Sequence, residues 1–374
     1  MEALNDLRTN IDSLDRELIQ LFAKRLELVS QVGKVKHQHG LPIYAPEREQ
    51  AMLQARRLEA EKAGISPDLI EDVLRRFMRE SYTNENQFGF KTVNPKIQKI
   101  VIVGGNGKLG DLFARYLRAS GYPISILDRN DWDIADRILA NADAVIVSVP
   151  IANTLDVIER LKPYLTENML LADLTSVKRA PLTKMLAVHS GAVVGLHPMF
   201  GPDIASMAKQ VVVCCDGRFP KRYEWLLEQI QIWGVKIYET DAAEHDRNMT
   251  YVQALRHFST FANGLHLSKQ PVNLNNLLAL SSPIYRLELA MIGRLFAQDA
   301  ELYADIIFDK SENLEVIESL KETYDDALKL VENTDRQGFI DTFHEVREWF
   351  GEYGEQFLKE SRQLLQQAQD LRQG

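Results

Sequence analysis

Cysteine is almost absent from this chain of 374 residues: there are two, Cys214 and Cys215, side by side. Adjacent cysteines are a poor geometry for a disulfide and make no metal-ligand set, so neither organises the chain, and no metal is expected. A reduced, cytoplasmic setting fits best. Long apolar runs are also missing. None approaches a membrane span, and residues 1–30 are too charged and too regularly helical for a signal peptide. Positive charge is in deficit, 44 Lys and Arg against 53 Asp and Glu, a net charge of −9. Bulk electrostatics therefore disfavour nucleic acid, and an anionic substrate has to be caught by local cations. With 45% hydrophobic and 26% charged residues the composition is that of a globular protein, long enough for two or three domains.

What the chain does have is centred on Lys99–Gly110, KIVIVGGNGKLG. Ile100–Val103 is short and β-branched, the pattern of a parallel strand buried on both faces. Gly105-Asn106-Gly107-Lys108-Leu109-Gly110 follows and leads into a segment of helical period, Asp111–Ser120. In that context GxGxxG reads as a dinucleotide-binding turn. Its glycines allow a tight turn, a close pyrophosphate and close helix packing, and the helix N-terminus offers free N–H groups. A second strand, Ile124–Leu127, ends in Asp128, near the distance expected of a ribose-binding carboxylate. The candidate cofactor contacts are Gly105, Asn106, Gly107, Leu109, Gly110 and Asp128, with Ser148 at the end of a later strand. Asp128 would repel a 2′-phosphate, whereas Arg129 beside it would attract one; the acid decides the reading for NAD.

Upstream, Leu4–Lys36 is one long helical pattern without proline. Leu4, Leu7, Ile11, Leu14, Leu18 and Leu21 form an apolar seam that resumes at Leu28, Val32 and Val35. Arg25 interrupts it. A guanidinium on a packed seam is costly unless an anion meets it. Lys36 lies roughly 16 Å further on and about 20° away around the helix, whereas Arg8 is about 25 Å back and turned by about 100°. Arg8 therefore joins a small site only from a second chain, which argues for an intertwined dimer. Two more helices are expected, from Pro46 to about Lys62 and from Pro67 to about Glu85, with Arg48 and Glu49 opening the first and Ser81 and Glu85 closing the second.

LRTNIDSLD, KRLELVSQVGKVK and PERE resemble the all-helical chorismate mutase family over residues 1–90. The resemblance implies rearrangement of chorismate to prephenate without covalent catalysis, by cations that hold two carboxylates and donors on the breaking ether oxygen. The matching positions are Arg8 from the other chain, Arg25, Lys36, Arg48, Glu49, Ser81 and Glu85. Ala45 and Glu85 depart from the mutase joined to prephenate dehydratase, which has Asp and Gln there.

Beyond a connection around 91–98, strands are expected at Ala144–Val149, Met169–Leu174, Ala192–Leu196, Val211–Cys214 and Val235–Tyr238. Ligands sit past the carboxyl ends of such strands, so Ser148, Lys178 and His197 are expected at the crevice, His197 on a turn directly after its strand. From Ala242 the pattern is helical. His245 and His257 lie early in it, and Arg286 and Arg294 share an apolar helix that starts at Pro283, where two guanidinium groups need anionic partners.

GGNGKLG, GLHPMFGP, EHDRNMTYVQALRHF and SSPIYRLELAMIGRLF are similar to prephenate dehydrogenase, and with the mutase in front the whole chain resembles the bifunctional chorismate mutase–prephenate dehydrogenases of tyrosine biosynthesis. The resemblance implies a multidomain chain: an all-α mutase module at 1–90, a linker at 91–98, a Rossmann-type α/β NAD-binding domain at 99–240, and an all-α substrate-binding and dimerisation domain at 241–374. It implies that His197 takes the proton of the substrate hydroxyl, that Arg294 binds a carboxylate, and that Lys178, His245, His257 and Arg286 surround the substrate. It also implies a homodimer and feedback inhibition by tyrosine, for which the sequence shows no separate pocket. The alternatives are an arogenate dehydrogenase with an accessory mutase module, or a non-catalytic sensor of nucleotide and aromatic acid.

Overall fold

The computed structural model describes residues 2–370, which fall into two compact units, Met1–His245 and Asp246–Gly374. The first unit opens with three helices, α1 (Glu2–His39), α2 (Pro46–Lys62) and α3 (Pro67–Glu85). Proline occupies the first turn of α2 because its fixed φ suits a helix start, and Ala45 before it is extended, at φ −127°. Phe22 on α1 meets Phe77 on α3, with ring centroids 4.5 Å apart. Further along, Gly33 lets α1 approach α3 closely: a Cβ there would stand 3.2 Å from Glu85 Cγ.

The seam of α1 is not covered within the chain. Leu7, Ile11, Leu14 and Leu21 are each more than half exposed, so the inward packing expected of them is absent from the single chain. Three helices bury too little apolar surface to close over a helix 38 residues long.

A seven-stranded sheet follows: β1 (Ile100–Val103), β2 (Ile124–Leu127), β3 (Ala144–Val147), β4 (Leu170–Asp173), β5 (Ala192–Pro198), β6 (Val211–Arg218) and β7 (Lys236–Glu239), in the spatial order β2-β1-β3-β4-β5-β6-β7. All neighbours are parallel except β5 and β6. The helices α4 (Lys108–Ala119), α5 (Ala135–Leu139), α6 (Ile151–Leu161), α7 (Arg179–Val188) and α8 (Glu224–Ile232) connect the strands. Two expectations shift here. Helix α4 starts at Lys108, inside the glycine motif, with Gly107 as its N-cap. Strand β5 runs through His197 to Pro198, because antiparallel β6 supplies partners that a lone strand end would lack: His197 pairs with Val213 and Pro198 with Val212.

The connection from helices to sheet is packed rather than loose. Phe90 is buried against Tyr116 and Trp233, its N–H donates to the Ala119 carbonyl, and Val93 N–H donates to Gln229. Ile43, Leu53, Met78 and Tyr82 of the helical module share one apolar cluster with Ile100, Tyr116 and Trp233.

Helix α9 (Ala242–Met249) carries the chain into the second unit, where a π-helical stretch, Thr250–Leu255, precedes α10 (Arg256–Ser268). Then come α11 (Leu274–Leu280), α12 (Pro283–Phe296), α13 (Ala300–Phe308), α14 (Ser311–Glu332), α15 (Arg336–Phe350) and α16 (Glu352–Asp370). Asn273, Ser282, Asp299 and Asp335 cap the helices that follow them, accepting from free N–H groups. Helices α10 and α12 meet closely at Gly264, where a Cβ would come 2.1 Å from the Phe296 ring. Large apolar side chains such as Phe343, Trp349 and Phe357 remain exposed in this unit. No helix among the described residues is long and apolar enough to cross a membrane.

Candidate active sites

The helical module gathers charge on the inner end of α1. Lys36 Nζ lies 2.8 Å from Glu85 Oε2 and donates to the Ile43 carbonyl at 2.7 Å. Glu85 is buried, and burial pushes its carboxyl above the usual carboxylate range, against the pull of Lys36. Arg25 is half-buried with its guanidinium 5.2 Å from the centroid of Phe77, and its Nη1 is buried without a hydrogen-bond partner among the described residues. A buried guanidinium nitrogen without a partner is costly, and an anion is the kind of group that would meet it. Glu49 is buried beneath the Tyr82 hydroxyl, which donates to it at 2.6 Å. Ser81 is buried with its hydroxyl turned back to the Phe77 carbonyl; Arg48 and Arg8 are exposed in the single chain.

At the sheet, the glycine motif lines a cavity of about 540 Å³ bounded by Gly107, Asp128, Arg129, Trp132, Ser148 and Arg160. Asp128 accepts from the Asn106 N–H at 3.3 Å and from its neighbour Arg129 N–H, while its own N–H is held by Asp131. Gly110 fits against the turn: a Cβ there would stand 2.6 Å from the Gly104 carbonyl, and one on Gly105 would strike Ile126. Leu109 packs its side chain against the core.

The end of β5 holds a pair of imidazoles. His197 Nδ1 lies 2.8 Å from His245 Nε2 on α9, with the rings edge to face and both residues almost wholly buried. Lys178, expected to project toward the crevice, is fully buried, its ammonium directed to the Asp173 carboxylate of β4 and to the Leu196 carbonyl at 2.8 Å, one residue from His197. A carboxylate sealed at a strand end needs a counter-cation, and Lys178 is it.

In the second unit, His257 is buried, edge-on to Tyr303, and pushed down to about 4 by burial and the adjacent Arg256. Arg286 and Arg294 both lie on α12, the first half-buried and the second exposed.

Comparison with known proteins matches these parts in the same order. Residues 7–86 match the family model of chorismate mutase type II, residues 114–234 that of the prephenate dehydrogenase nucleotide-binding domain, and residues 241–345 that of its dimerization domain. The T-protein of Haemophilus influenzae is 86% identical over 374 residues, covering 100% of this chain and 99% of its own length. The chain belongs to the T-protein family. The T-protein of Enterobacter agglomerans is 58% identical over 369 residues, 99% of both chains. Among solved structures, the prephenate dehydrogenase of A. aeolicus in complex with hydroxyphenyl propionate and NAD+ shares the fold, with a TM-score of 0.56 and 20% identity over 67% of this chain and 96% of that one. The T-protein architecture is thus a chorismate mutase module fused to a prephenate dehydrogenase.

Sequence reasoning passed over four residues of these sites. Trp132 and Arg160 stack at the mouth of the nucleotide cavity, the guanidinium 3.9 Å from the ring centroid. Lys209 reaches Glu49. Gly104, outside the GxGxxG spacing, is the residue that turns the chain off β1, at φ +80°. A positive φ cannot be read from spacing alone. A Cβ on Gly104 would stand 2.3 Å from the Ser148 carbonyl and 2.8 Å from Val149 Cγ1. Gly104→Ala is therefore expected to lower stability by at least about 1–3 kcal/mol, in denaturant unfolding, and to weaken nucleotide binding. Unchanged unfolding would show that the turn tolerates a side chain.

Proposed function

We propose that residues 1–90 rearrange chorismate to prephenate and that residues 99–374 oxidise prephenate with NAD to 4-hydroxyphenylpyruvate and carbon dioxide. In the first reaction Arg25, Arg48 and the second chain's copy of Arg8 hold the two carboxylates in the compact conformer. Lys36 and Glu85 donate to the ether oxygen as its C–O bond breaks, and Glu49 and Ser81 hold the remaining polar groups of the ring. The observation that carries this half is the buried, unmet Nη1 of Arg25 on α1, the helix that also brings Lys36 to Glu85. The exposed seam of α1 supports a dimer in which a second α1 covers it and brings Arg8.

In the second reaction the observation is the His197–His245 contact. For His197 Nε2 to accept the substrate's hydroxyl proton, Nδ1 must carry hydrogen and donate to His245 Nε2. His245 then holds its own proton on Nδ1. The pair can receive the proton without a change of ring orientation. NAD, when bound, supplies the two-electron acceptor. Gly107, the backbone of Asn106, Leu109 and Gly110, and Ser148 would hold its phosphates, and Asp128 its ribose. Arg294 and Arg286 are the cations for the carboxylates of an anionic substrate, with His257 on α10 of the same unit. Tyrosine is the feedback ligand that this reading implies. Supplying chorismate and NAD together and following chorismate loss and NADH formation tests both halves at once; NADH formed only with arogenate would replace the second reaction.

Three outcomes are expected. His197→Asn keeps mutase activity but lowers dehydrogenase kcat at least about 100-fold, since an amide can hydrogen-bond but not take the proton; near-normal kcat would remove His197 from the mechanism. Arg8→Ala and Arg25→Ala each abolish the mutase, yet mixed and exchanged subunits regain activity, because one site of each heterodimer then carries both lesions and the other carries neither. No recovery after confirmed exchange counts against a shared site. Glu85 donates only while protonated, so mutase kcat falls as pH rises through its raised pKa, and Glu85→Gln flattens that profile. A wild-type kcat level from acid to mildly alkaline pH would exclude this role.

A further inference from the structure

Glu49 is held from outside the mutase module. Its Oε2 accepts from Tyr82 on α3, and its Oε1 accepts from the ammonium of Lys209, 160 positions away in sequence. Lys209 belongs to the loop between β5 and β6, within the nucleotide-binding match at 114–234 and beyond the mutase match at 7–86. The ammonium lies 5.1 Å from the ring centroid of Tyr44 and 5.8 Å from that of Tyr82, so aromatic faces flank the ion pair on the module's side.

Two features set this contact apart from an ordinary surface salt bridge. The carboxylate is 8% exposed, and its other cationic neighbour is already engaged: Arg75 Nη1 stands 3.5 Å from Glu49, while Arg75 Nε and Nη2 grip Glu71 at 2.9 and 2.7 Å. The backbone is also committed. Lys209 sits at φ +66°, a left-handed conformation that is unfavourable for a residue with a side chain, and its N–H is tied to the Gly234 carbonyl at 2.9 Å. Gly234 is in turn the seat of the module's α1–α2 loop, since a Cβ there would come within 2.8 Å of Ile43. Ile43 N–H donates to the Ile232 carbonyl, and the Ile43 carbonyl accepts from Lys36. The nucleotide-binding domain thus reaches two charged corners of the module, Lys36 by way of Ile43 and Glu49 by way of Lys209.

We propose that Lys209 is a positioning residue for the mutase reaction, fixing the Glu49 carboxylate so that its remaining lone pairs face the bound substrate; this rests on the reading of Glu49 as a mutase-site residue. Without the ammonium, Glu49 and Glu71 compete for Arg75, and the carboxylate turns toward it and away from the substrate. The same loop starts at the end of the strand that carries His197, but the contacts of Lys209 among the described residues run to Glu49, Tyr44, Tyr82 and Gly234, so the oxidation of supplied prephenate does not depend on it.

The test uses the full chain. Lys209→Met is expected to lower mutase kcat/KM for chorismate about tenfold, chiefly through KM, between the small effect of an exposed pair and the large effect of a buried one. Dehydrogenase kcat/KM with supplied prephenate stays unchanged, and Lys209→Arg restores most of the mutase. Glu49→Gln alone lowers mutase kcat/KM, and adding Lys209→Met to it costs nothing further, which a merely structural lysine would not show. If Glu49→Gln lowers the mutase and Lys209→Met does not, the proposal is wrong while the mutase site stands. If Glu49→Gln leaves the mutase intact, the reading of Glu49 fails first and the proposal with it. Losses in both activities that track a fall in Tm, with no rescue by arginine, would also overturn it.

Discussion

The Lys178 ammonium is sealed between the Asp173 carboxylate and the Leu196 carbonyl, and the dehydrogenase half of the molecule hangs on that contact. Two opposite charges out of water hold strands β4 and β5 in fixed relation at their carboxyl ends, and removing either partner from such a pair typically costs about 3–5 kcal/mol. His197 is the next residue along β5, so its imidazole is presented by a strand end that cannot drift. Antiparallel β6 adds its own restraint by pairing with His197 and Pro198. That strand end brings His197 Nδ1 within 2.8 Å of His245 Nε2.

The same rule governs the helical module, where the answering groups come from further away. Glu85 is met by Lys36, Glu49 by Tyr82 and Lys209, and Arg25 Nη1 by nothing among the described residues. The first two charges are met within the single chain and the third is not. Because Ile43, Tyr82 and Phe90 bury against Tyr116 and Trp233, the module has no core separate from that of the sheet. A bundle of three helices gains this way the apolar burial that its own size denies it, and its charged corners are set in part by the nucleotide-binding domain.

Much of this was legible beforehand. The apolar runs that became β1, β3 and β4 are buried along their whole length, which is why short uninterrupted apolar stretches identified them. Pro46, Pro67 and Pro283 marked helix starts because the ring fixes φ and lacks only a donor that the first turn does not use. What escaped was long-range. His197 was expected on a turn, and lies in β5 because of pairing with a strand that runs the other way.

By itself the sequence determined the order of modules, the helix and strand periods, the glycine turn and the identity of the titratable groups, since each depends on residues close along the chain. The tertiary structure alone decided which charges meet. Lys209 and Glu49 are 160 positions apart, and His197 and His245 are 48 apart. No local pattern encodes such pairs; they exist because a low-dielectric interior makes an unmet charge or a stray imidazole proton costly wherever the fold happens to bring it.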